Sequence, residues 1–236
     1  MIICFSYCLY GKYNPKYYIG LEENIKFINK HFPNYLIHIW FGSDVELDKI
    51  NMNLLNTSNL IIKHLNVTGY IVHAYRFLSI DEPNIDIVFS RDCDSRISDR
   101  EIKLNNRFIN SKYLLHTIRD HKGQHMPLMA GLFGIKKEIK KYFKNEEIKN
   151  QFMYLFEILK NNPEYITYTT DQNLLITLFY TNFKNYLLVH STKNIFSDPN
   201  FIKINPPEDN NFCGQVIDYD GSGNSFMVYE YKNYED

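Results

Sequence analysis

The segment N-I-D-I-V-F-S-R-D-C-D-S-R, residues 84–96, joins a short apolar run directly to a charged turn. The apolar members of this run, Ile85, Ile87, Val88 and Phe89, are all β-branched or aromatic. Such a run is typical of a strand that is covered on both faces of its sheet. The segment therefore predicts a buried central strand with helices packed against each face.

Two carboxylates, Asp92 and Asp94, follow the predicted central strand. In an extended chain, side chains two residues apart point the same way, so these carboxylates can face one point. They repel each other unless a cation lies between them, and oxygen ligands suit Mg²⁺ or Mn²⁺. The pair predicts a site for a divalent cation. The alternative is a solvated acidic turn that is paired with Arg91 and Arg96.

Length and composition restrict the class of protein. The chain has 236 residues, of which 44% are hydrophobic, and a net charge of −1. These values fit one α/β domain and give no reason to expect binding to nucleic acid or to a membrane surface. No apolar run approaches the length of a membrane span.

The N-terminus and the cysteines bear on location. Residues 1–9 are apolar but lack a basic leader and a cleavage site, so they predict a first strand. The four cysteines lack the spacing of metal ligands. They predict free thiols and a cytoplasmic location, which would be the host cytoplasm if the protein is viral.

Stretches with strand and helix periodicity alternate along the chain. Further strands are predicted at residues 2–7, 35–41, 60–65, 113–118 and 186–189. Helices are predicted at residues 18–32, 44–55, 69–78, 98–109, 138–160 with a break near residue 145, and 170–182. The alternation predicts a mostly parallel, doubly wound sheet flanked by helices, in a single domain with a loop-rich C-terminal tail.

Shorter sequence patterns predict a helix start, a hairpin and the position of a cleft. Ser98 and Glu101 have the spacing of a capping box at the start of the helix at 98–109. A hairpin is predicted between residues 215–219 and 226–231. In open sheets of this class, ligands bind outside the carboxyl ends of the strands. The first strand and the central strand would therefore share one cleft if they are neighbours.

The segment S-R-D-C-D-S-R-I-S-D-R-E, residues 90–101, resembles the D-x-D region of glycosyltransferases with the GT-A fold. It is most similar to a bacterial and viral group that carries R-D-x-D-S-R followed by R-E. Other segments resemble that group in the same order: F-S-Y-C-L-Y-G (5–11), Y-R-F (75–77), H-T-I-R-D-H-K-G-Q-H-M-P-L-M-A-G-L-F-G (116–134), T-D-Q-N-L-L (170–175), V-H-S-T (189–192) and F-C-G-Q (212–215). The chain departs from the pattern at Ala130, Phe133 and Ser191, where glycine, tryptophan and an acidic residue are usual.

This resemblance implies a metal-dependent glycosyltransferase that moves a sugar from a nucleotide-sugar donor, a UDP-sugar, to a hydroxyl of a glycan or glycoprotein. It implies a nucleotide-binding half at 1–97, a sugar and acceptor half at 98–190 and a tail at 191–236. The implied ligands of Mn²⁺ or Mg²⁺ are Asp92, Asp94 and His190. The implied nucleotide and donor residues are Phe5, Ser6, Tyr7, Tyr10, Arg76, Arg91, Asp92, Cys93, Arg119, Gly131 and Lys193. The implied acceptor residues are His121, His125 and Gln172, and the implied catalytic residues are Asp120 and Asp171.

Several alternatives remain open at this level. A nucleotidyltransferase uses related chemistry, although it usually carries an early phosphate loop that residues 6–12 do not provide. A non-catalytic relative would bind nucleotide or act as a scaffold, and it would not hydrolyse a donor. Asp171, at a predicted helix start, is a cap, a group that orients a hydroxyl, or a general base. His190 is a metal ligand or a structural histidine.

Overall fold

One sheet organises the part of the chain that the computed structural model describes, residues 1–207, 211–218 and 220–222. Its strands are β1 (Ile3–Leu9), β2 (Leu36–Phe41), β3 (Leu60–His64), β4 (Ile87–Arg91), β5 (Leu115–Arg119), β6 (Leu132–Lys136), β7 (Leu187–Ser191) and β8 (Phe201–Lys203). They lie in the order β3-β2-β1-β4-β6-β5-β7-β8. The sheet continues across residue 97, so the two halves expected from the sequence share it.

Most neighbouring strands run parallel, which confirms the predicted sheet class. The exception is β6, which is antiparallel to both β4 and β5. The sequence does not predict β6, because glycine at 131 and 134 interrupts its strand pattern, nor the three-residue strand β8. β1 and β4 are parallel neighbours, with Ser6 opposite Ser90, so their carboxyl ends open at the same edge.

The helices pack on both faces of the sheet. They are α1 (Pro15–His31), α2 (Met52–Leu55), α3 (Val72–Tyr75), α4 (Asp99–Ile109), α5 (Ile148–Asn161), α6 (Thr170–Leu175) and α7 (Thr181–Phe183). Short 3₁₀ helices lie at Leu47–Lys49, Arg76–Asp81, Lys137–Tyr142, Lys144–Glu146, Pro163–Tyr165 and Lys184–Tyr186. A π-helical turn, Ile176–Tyr180, joins α6 to α7, so helical structure covers the predicted range 170–182.

Asparagine side chains determine two helix starts. At α1, Asn14 accepts a hydrogen bond from Lys16 N at 3.1 Å, and Pro15 occupies the first helical position. At α2, Asn51 accepts a hydrogen bond from Asn53 N at 3.1 Å. The helix therefore restarts at residue 52 and does not run from residue 44 as predicted, because the asparagine side chain competes with the backbone for donors.

The start of α4 is only partly a capping box. Ser98 Oγ accepts a hydrogen bond from Glu101 N at 3.2 Å, as predicted. The carboxylate of Glu101, however, points into the core and pairs with Arg91. Further along the chain, Glu146 has a positive φ of 54° two residues before α5 begins, which confirms the predicted break near residue 145.

Alternate side chains of β4 enter two separate cores. Val88 packs in the core on the face that carries α3, α5 and α6, whereas Ile87 and Phe89 pack in the core with α1 and α4. The central strand is thus covered on both faces, as predicted. The odd-numbered side chains of β1 also face α1, and Phe5 packs on Phe89 with ring centroids 5.7 Å apart. Phe5 is therefore a core residue and not part of a nucleotide site.

Three further expectations concern thiols, membrane spans and the hairpin. All four cysteines are buried free thiols, as predicted. Among the described residues, no helix is both long enough and apolar enough to cross a bilayer. A turn forms where Asp218 N donates to Ser222 O at 2.8 Å. The second hairpin strand, predicted at 226–231, lies outside the described residues.

His38 on β2 is fully buried and stacks on Trp40 with ring centroids 4.6 Å apart. Neither of its ring nitrogens has a hydrogen-bond partner within the described chain. Burial lowers the pKa of His38 from 6.5 to about 4. Below pH 6.5 the unfolded chain binds a proton at His38, whereas the folded chain does so only near pH 4. Stability therefore falls as the pH drops through this window.

We expect His38 to contribute about 2 kcal/mol to the loss of unfolding free energy between pH 7 and pH 5. His38→Phe should remove this contribution and give a flatter pH profile in urea unfolding. His31→Phe, at an exposed histidine of α1, is the matched control and should leave the profile as steep as in the wild type. An equally steep profile for the His38 variant would contradict the assignment.

Candidate active site

A cleft opens at the edge of the sheet where β1 and β4 end. Its main cavity has a volume of about 380 Å³. Four residues expected at the donor site line it, together with the second aspartate: Tyr10, Arg76, Asp92, Cys93 and Asp94. The other lining residues are Cys8, Leu9, Tyr17, Tyr70, His73, Tyr168 and Val216. The fold therefore brings the acidic pair and part of the expected donor site to one place.

Asp92 and Asp94 face the cavity with different counter-charges. Arg76 Nη1 lies 2.5 Å from Asp92 Oδ1, and Lys16 Nζ lies 3.2 Å from Asp94 Oδ2. Burial acts to raise the pKa of Asp92, but Arg76 outweighs burial and the pKa falls below its usual value. Burial and then the charge of Asp92 raise the pKa of Asp94, in spite of Lys16. The two cations thus do not fully remove the repulsion within the pair.

Arg76 bridges two carboxylates. Its Nη1 also donates to Arg91 O at 2.8 Å, and its Nη2 lies 2.8 Å from Asp171 Oδ2. The side chain is only 2% exposed. Arg76 therefore couples Asp92 to Asp171. Its contact with a diphosphate stays a prediction, because both Nη atoms already bind oxygen atoms of the protein.

A smaller cavity of about 120 Å³ adjoins the main cavity and shares part of its wall. The shared residues are His73, Arg76, Asp92 and Tyr168. The remaining wall consists of Met129, Ala130, Gly131, Asp171 and Gln172. Gln172 Oε1 is buried and has no hydrogen-bond partner in the part of the chain that the structure describes. Gly131, Asp171 and Gln172 thus lie beside Asp92 and Asp94. The sequence analysis expects these three residues in donor binding, catalysis and acceptor binding.

Two glycines press against the acidic turn, which is the turn after β4 that carries Asp92 and Asp94. A Cβ atom at residue 131 would lie 2.5 Å from Asp92 Cγ, a distance that real Cβ atoms do not reach. A Cβ atom at residue 20, within α1, would collide with the carbonyl oxygen of Cys93. Gly131 therefore makes room for the Asp92 side chain, and Gly20 lets α1 approach the backbone of the turn.

Three residues expected at the donor site are buried in the protein instead. Ser6 is fully buried, and its hydroxyl lies 2.7 Å from Ser79 Oγ. Tyr7 is fully buried in the core with α1. Arg91 is 1% exposed and pairs with Glu101 of α4. These expectations are corrected, because the side chains of Ser6, Tyr7 and Arg91 point into the interior of the protein and not into the cleft.

His190 does not join the acidic pair. It lies on β7, which β6 and β5 separate from β4, and three strand spacings amount to roughly 14 Å. His190 is fully buried, and its Nδ1 lies 2.8 Å from His116 Nε2. Within the described ranges, no three His, Cys, Asp or Glu side chains converge as metal ligands would. The prediction of His190 as the third ligand is therefore wrong. Lys193 lies exposed beyond the end of β7.

Arg119, the last residue of β5, and Asp120, which follows it, are structural. Arg119 forms a buried ion pair with Asp198. Asp120 is fully buried, lies 2.7 Å from Arg100 Nε and accepts a hydrogen bond from Cys213 N at 3.1 Å. The expected roles of Arg119 in donor binding and of Asp120 in catalysis are corrected, because both side chains hold other segments of the chain.

The polar segment after β5, residues 120–125, holds the C-terminal segment 211–218 in place. The ring of His121 stacks on Phe212 with centroids 4.0 Å apart, and His125 Nδ1 lies 2.9 Å from Gly123 O. The C-terminal segment continues to the acidic turn, where Ile217 N donates to Asp94 O at 2.7 Å. The expected role of His121 in acceptor binding is corrected, since its ring face is already covered. His125 is exposed.

Apart from Tyr10, the sequence analysis misses the aromatic wall of the cleft. Tyr70 meets Tyr168 edge-on with ring centroids 6.0 Å apart, and Tyr10 meets His73 at 4.9 Å. Burial and then the charge of Arg76 lower the pKa of His73. The available signal is the abundance of tyrosine, 19 residues spread along the chain. Their spacing does not single out those that meet at the cleft.

Comparison with solved structures gives a clear match for the fold. The galactosyltransferase LgtC, in a structure with donor and acceptor sugar analogs, is similar with a TM-score of 0.50 and 13% identity. The match covers 81% of this chain and 74% of LgtC. The chain has a GT-A fold. No family model and no curated protein matches the sequence.

Other solved structures are similar over different shares of their length. The fragment 1–349 of TarS from S. aureus, in complex with UDP, has a TM-score of 0.47 at 14% identity, over 87% of this chain and 61% of the fragment. Another TarS structure has a TM-score of 0.40 at 16% identity, over 50% and 35%. The chain thus spans less than two thirds of the TarS fragment. A 4-diphosphocytidyl-2C-methyl-D-erythritol synthase from Anaerococcus prevotii has a TM-score of 0.41 at 13% identity, over 88% and 94%.

Gly131→Ala should displace the Asp92 carboxylate while leaving the sheet folded, because the three atoms nearest to the added methyl group all belong to the Asp92 side chain. If the acidic pair binds Mn²⁺, as expected from the sequence, the Mn²⁺ affinity measured by calorimetry should fall by about tenfold or more. The melting temperature of the same variant serves as the control for folding. Normal Mn²⁺ binding would mean that Asp92 can move aside without consequence.

Proposed function

We propose that the protein is a glycosyltransferase that moves a sugar from a nucleotide-sugar donor, a UDP-sugar, to a hydroxyl of a glycan or glycoprotein acceptor. One observation carries the proposal: within a GT-A fold, Asp92 and Asp94 face a cleft of about 380 Å³ where β1 and β4 end. Sheets of this class bind ligands at that edge. The LgtC structure of similar fold contains donor and acceptor sugar analogs.

The acidic pair fits a hard divalent cation. The raised pKa of Asp94, caused by burial and then by Asp92, indicates a repulsion that a cation bound to both carboxylates would relieve. Mg²⁺ or Mn²⁺ can be held by two carboxylates when phosphate oxygens and water complete the coordination, so no third side chain is required. Asp92 and Asp94 would hold the ion. When bound, it would neutralise charge that develops on the leaving nucleoside diphosphate.

The remaining roles follow from the two cavities. Tyr10, Tyr70 and Tyr168 would cover the nucleotide sugar and exclude water from the larger cavity. Gln172 Oε1, which has no partner within the described residues, would accept a hydrogen bond from a sugar hydroxyl. Asp171 Oδ2 already contacts Arg76, so we assign Asp171 to orienting a hydroxyl and not to removing its proton.

Asp92→Asn and Asp94→Asn should each abolish Mn²⁺-dependent binding of UDP and transfer from a UDP-sugar, because each change removes one charge of the cation site. Both variants should stay folded, since the substitutions preserve side-chain shape. Calorimetric titration of Mn²⁺ and UDP, followed by a donor-hydrolysis assay, measures the effect.

Asp86→Asn is the matched control. Asp86 directly precedes β4 at the opposite end of the strand, where it pairs with Lys137. The Asp86→Asn variant should retain full binding of Mn²⁺ and UDP and full hydrolysis of the donor. If both cleft variants bind Mn²⁺ and UDP as tightly as the wild type, the cation site is not at the acidic pair.

Asp171→Asn should lower the rate of transfer by about tenfold or more, with donor affinity nearly unchanged. Asparagine keeps a hydrogen-bond acceptor but loses the charge that pairs with Arg76. The transfer rate, the donor affinity and the melting temperature should be measured on the same protein. Near-normal transfer would remove Asp171 from the reaction.

A further inference from the structure

A buried ion pair lies directly beneath the acidic turn. Arg91 Nη1 lies 2.8 Å from Glu101 Oε2, and each side chain is 1% exposed. Arg91 is the last residue of β4, and Glu101 lies in the first turn of α4. The pair therefore links the strand that enters the acidic turn to the helix that leaves it. Neither residue has a role in the transfer proposed above.

The Arg91 guanidinium contacts three segments at once. Besides pairing with Glu101, its Nη2 donates to Ser95 Oγ at 3.0 Å, and its Nη1 donates to Gly131 O at 3.3 Å. Ser95 Oγ in turn donates to Asp92 O at 3.3 Å. Gly131 packs directly on the Asp92 carboxylate. Arg91 thus holds both the backbone of the turn and the wall behind Asp92.

Stability does not by itself account for a buried ion pair at this position. Removing two charges from water is costly, and an apolar pair of similar volume is often equally stable or more stable. An apolar pair cannot, however, direct hydrogen bonds. The planar guanidinium presents its donors in a fixed fork geometry, which suits simultaneous contacts with Ser95 and Gly131.

We propose that Arg91 and Glu101 are positioning residues that hold the acidic turn in the shape in which Asp92 and Asp94 bind one cation together. Glu101 acts through Arg91, because its carboxylate keeps the guanidinium buried and oriented. The consequence for cation binding rests on the proposed function. The consequence for the shape of the turn does not.

The decisive variant combines Arg91→Met with Glu101→Leu. It replaces the ion pair by apolar side chains and should fold with a melting temperature within about 5 °C of the wild type. Glu101→Gln is the second variant, in which Arg91 loses its counter-ion. Ser98→Ala is the control: it removes the N-cap of α4 and leaves the ion pair in place.

Cys93 reports the shape of the turn without any ligand. It lies between the two aspartates, is 4% exposed, and its Sγ donates to Cys8 O at 3.2 Å. We expect iodoacetamide to alkylate Cys93 at least about tenfold faster in the double variant, since a loosened turn exposes the thiol. Cys4, which is fully buried within β1, should stay protected. Mass spectrometry assigns the alkylated cysteine.

Calorimetric titration with Mn²⁺ in the presence of UDP is the second measurement. The affinity should fall by about 10- to 100-fold in the double variant, as expected for residues that orient metal ligands. Ser98→Ala should leave both the alkylation rate of Cys93 and the Mn²⁺ affinity close to those of the wild type. Glu101→Gln should change both in the same direction as the double variant.

A folded double variant with unchanged Cys93 alkylation would overturn the proposal. So would an equal rise in Cys93 alkylation in Ser98→Ala, because helix stability and not the ion pair would then hold the turn. If the wild type binds neither Mn²⁺ nor UDP, the proposed function fails, and the alkylation rates still decide the positioning role. If the double variant does not fold, Glu101→Gln takes its place. Unchanged Cys93 alkylation in Glu101→Gln, or an equal rise in Ser98→Ala, would then overturn the proposal.

Discussion

The repulsion between Asp92 and Asp94 is the constraint around which the cleft is arranged. Two carboxylates on one short turn need positive charge on both sides, and the chain supplies Arg76 next to one and Lys16 next to the other. Both cations come from segments that precede β4. Gly20 and Gly131 then let a helix and a strand approach the turn closely. The two carboxylates are thus held together at the edge of the sheet, and both still face the cavity.

The sequence predicts the fold where the pattern is local and strong. The run of apolar residues in β4 indicates a strand with two buried faces, and Val88 and Phe89 enter opposite cores as expected. The pattern fails where single side chains compete with it. The side chain of Asn51 starts a new helix, α2. The glycines beside and within β6 interrupt the strand pattern from which β6 could have been predicted. In both places a tertiary or side-chain interaction overrides a weak propensity.

The candidate site, like the fold, contains residues that the sequence predicts and residues that it does not. Asp92 and Asp94 are close in sequence, so their convergence could be predicted from one turn. His190 is distant in sequence, and its place depends on strand order, which a single sequence does not reveal. That order puts it beside His116 in the sheet interior. Residue composition gives the wrong role for Asp120 and His121. A polar loop that holds another segment of the chain contains the same residue types as a loop that binds sugar. Tyr70 and Tyr168 come together only through the fold.

The C-terminal segment completes the cleft from a distance. Val216 lines the main cavity, Ile217 binds the carbonyl of Asp94, and Asp120 and Gln124 hold Cys213 behind them. During synthesis, β1 and β4 leave the ribosome well before this segment does, and chains fold from the N-terminus onward. A nascent chain therefore carries the acidic turn before the cleft has its full wall. The part of the wall that Val216 forms is therefore added late in synthesis, after residues 211–218 have been made.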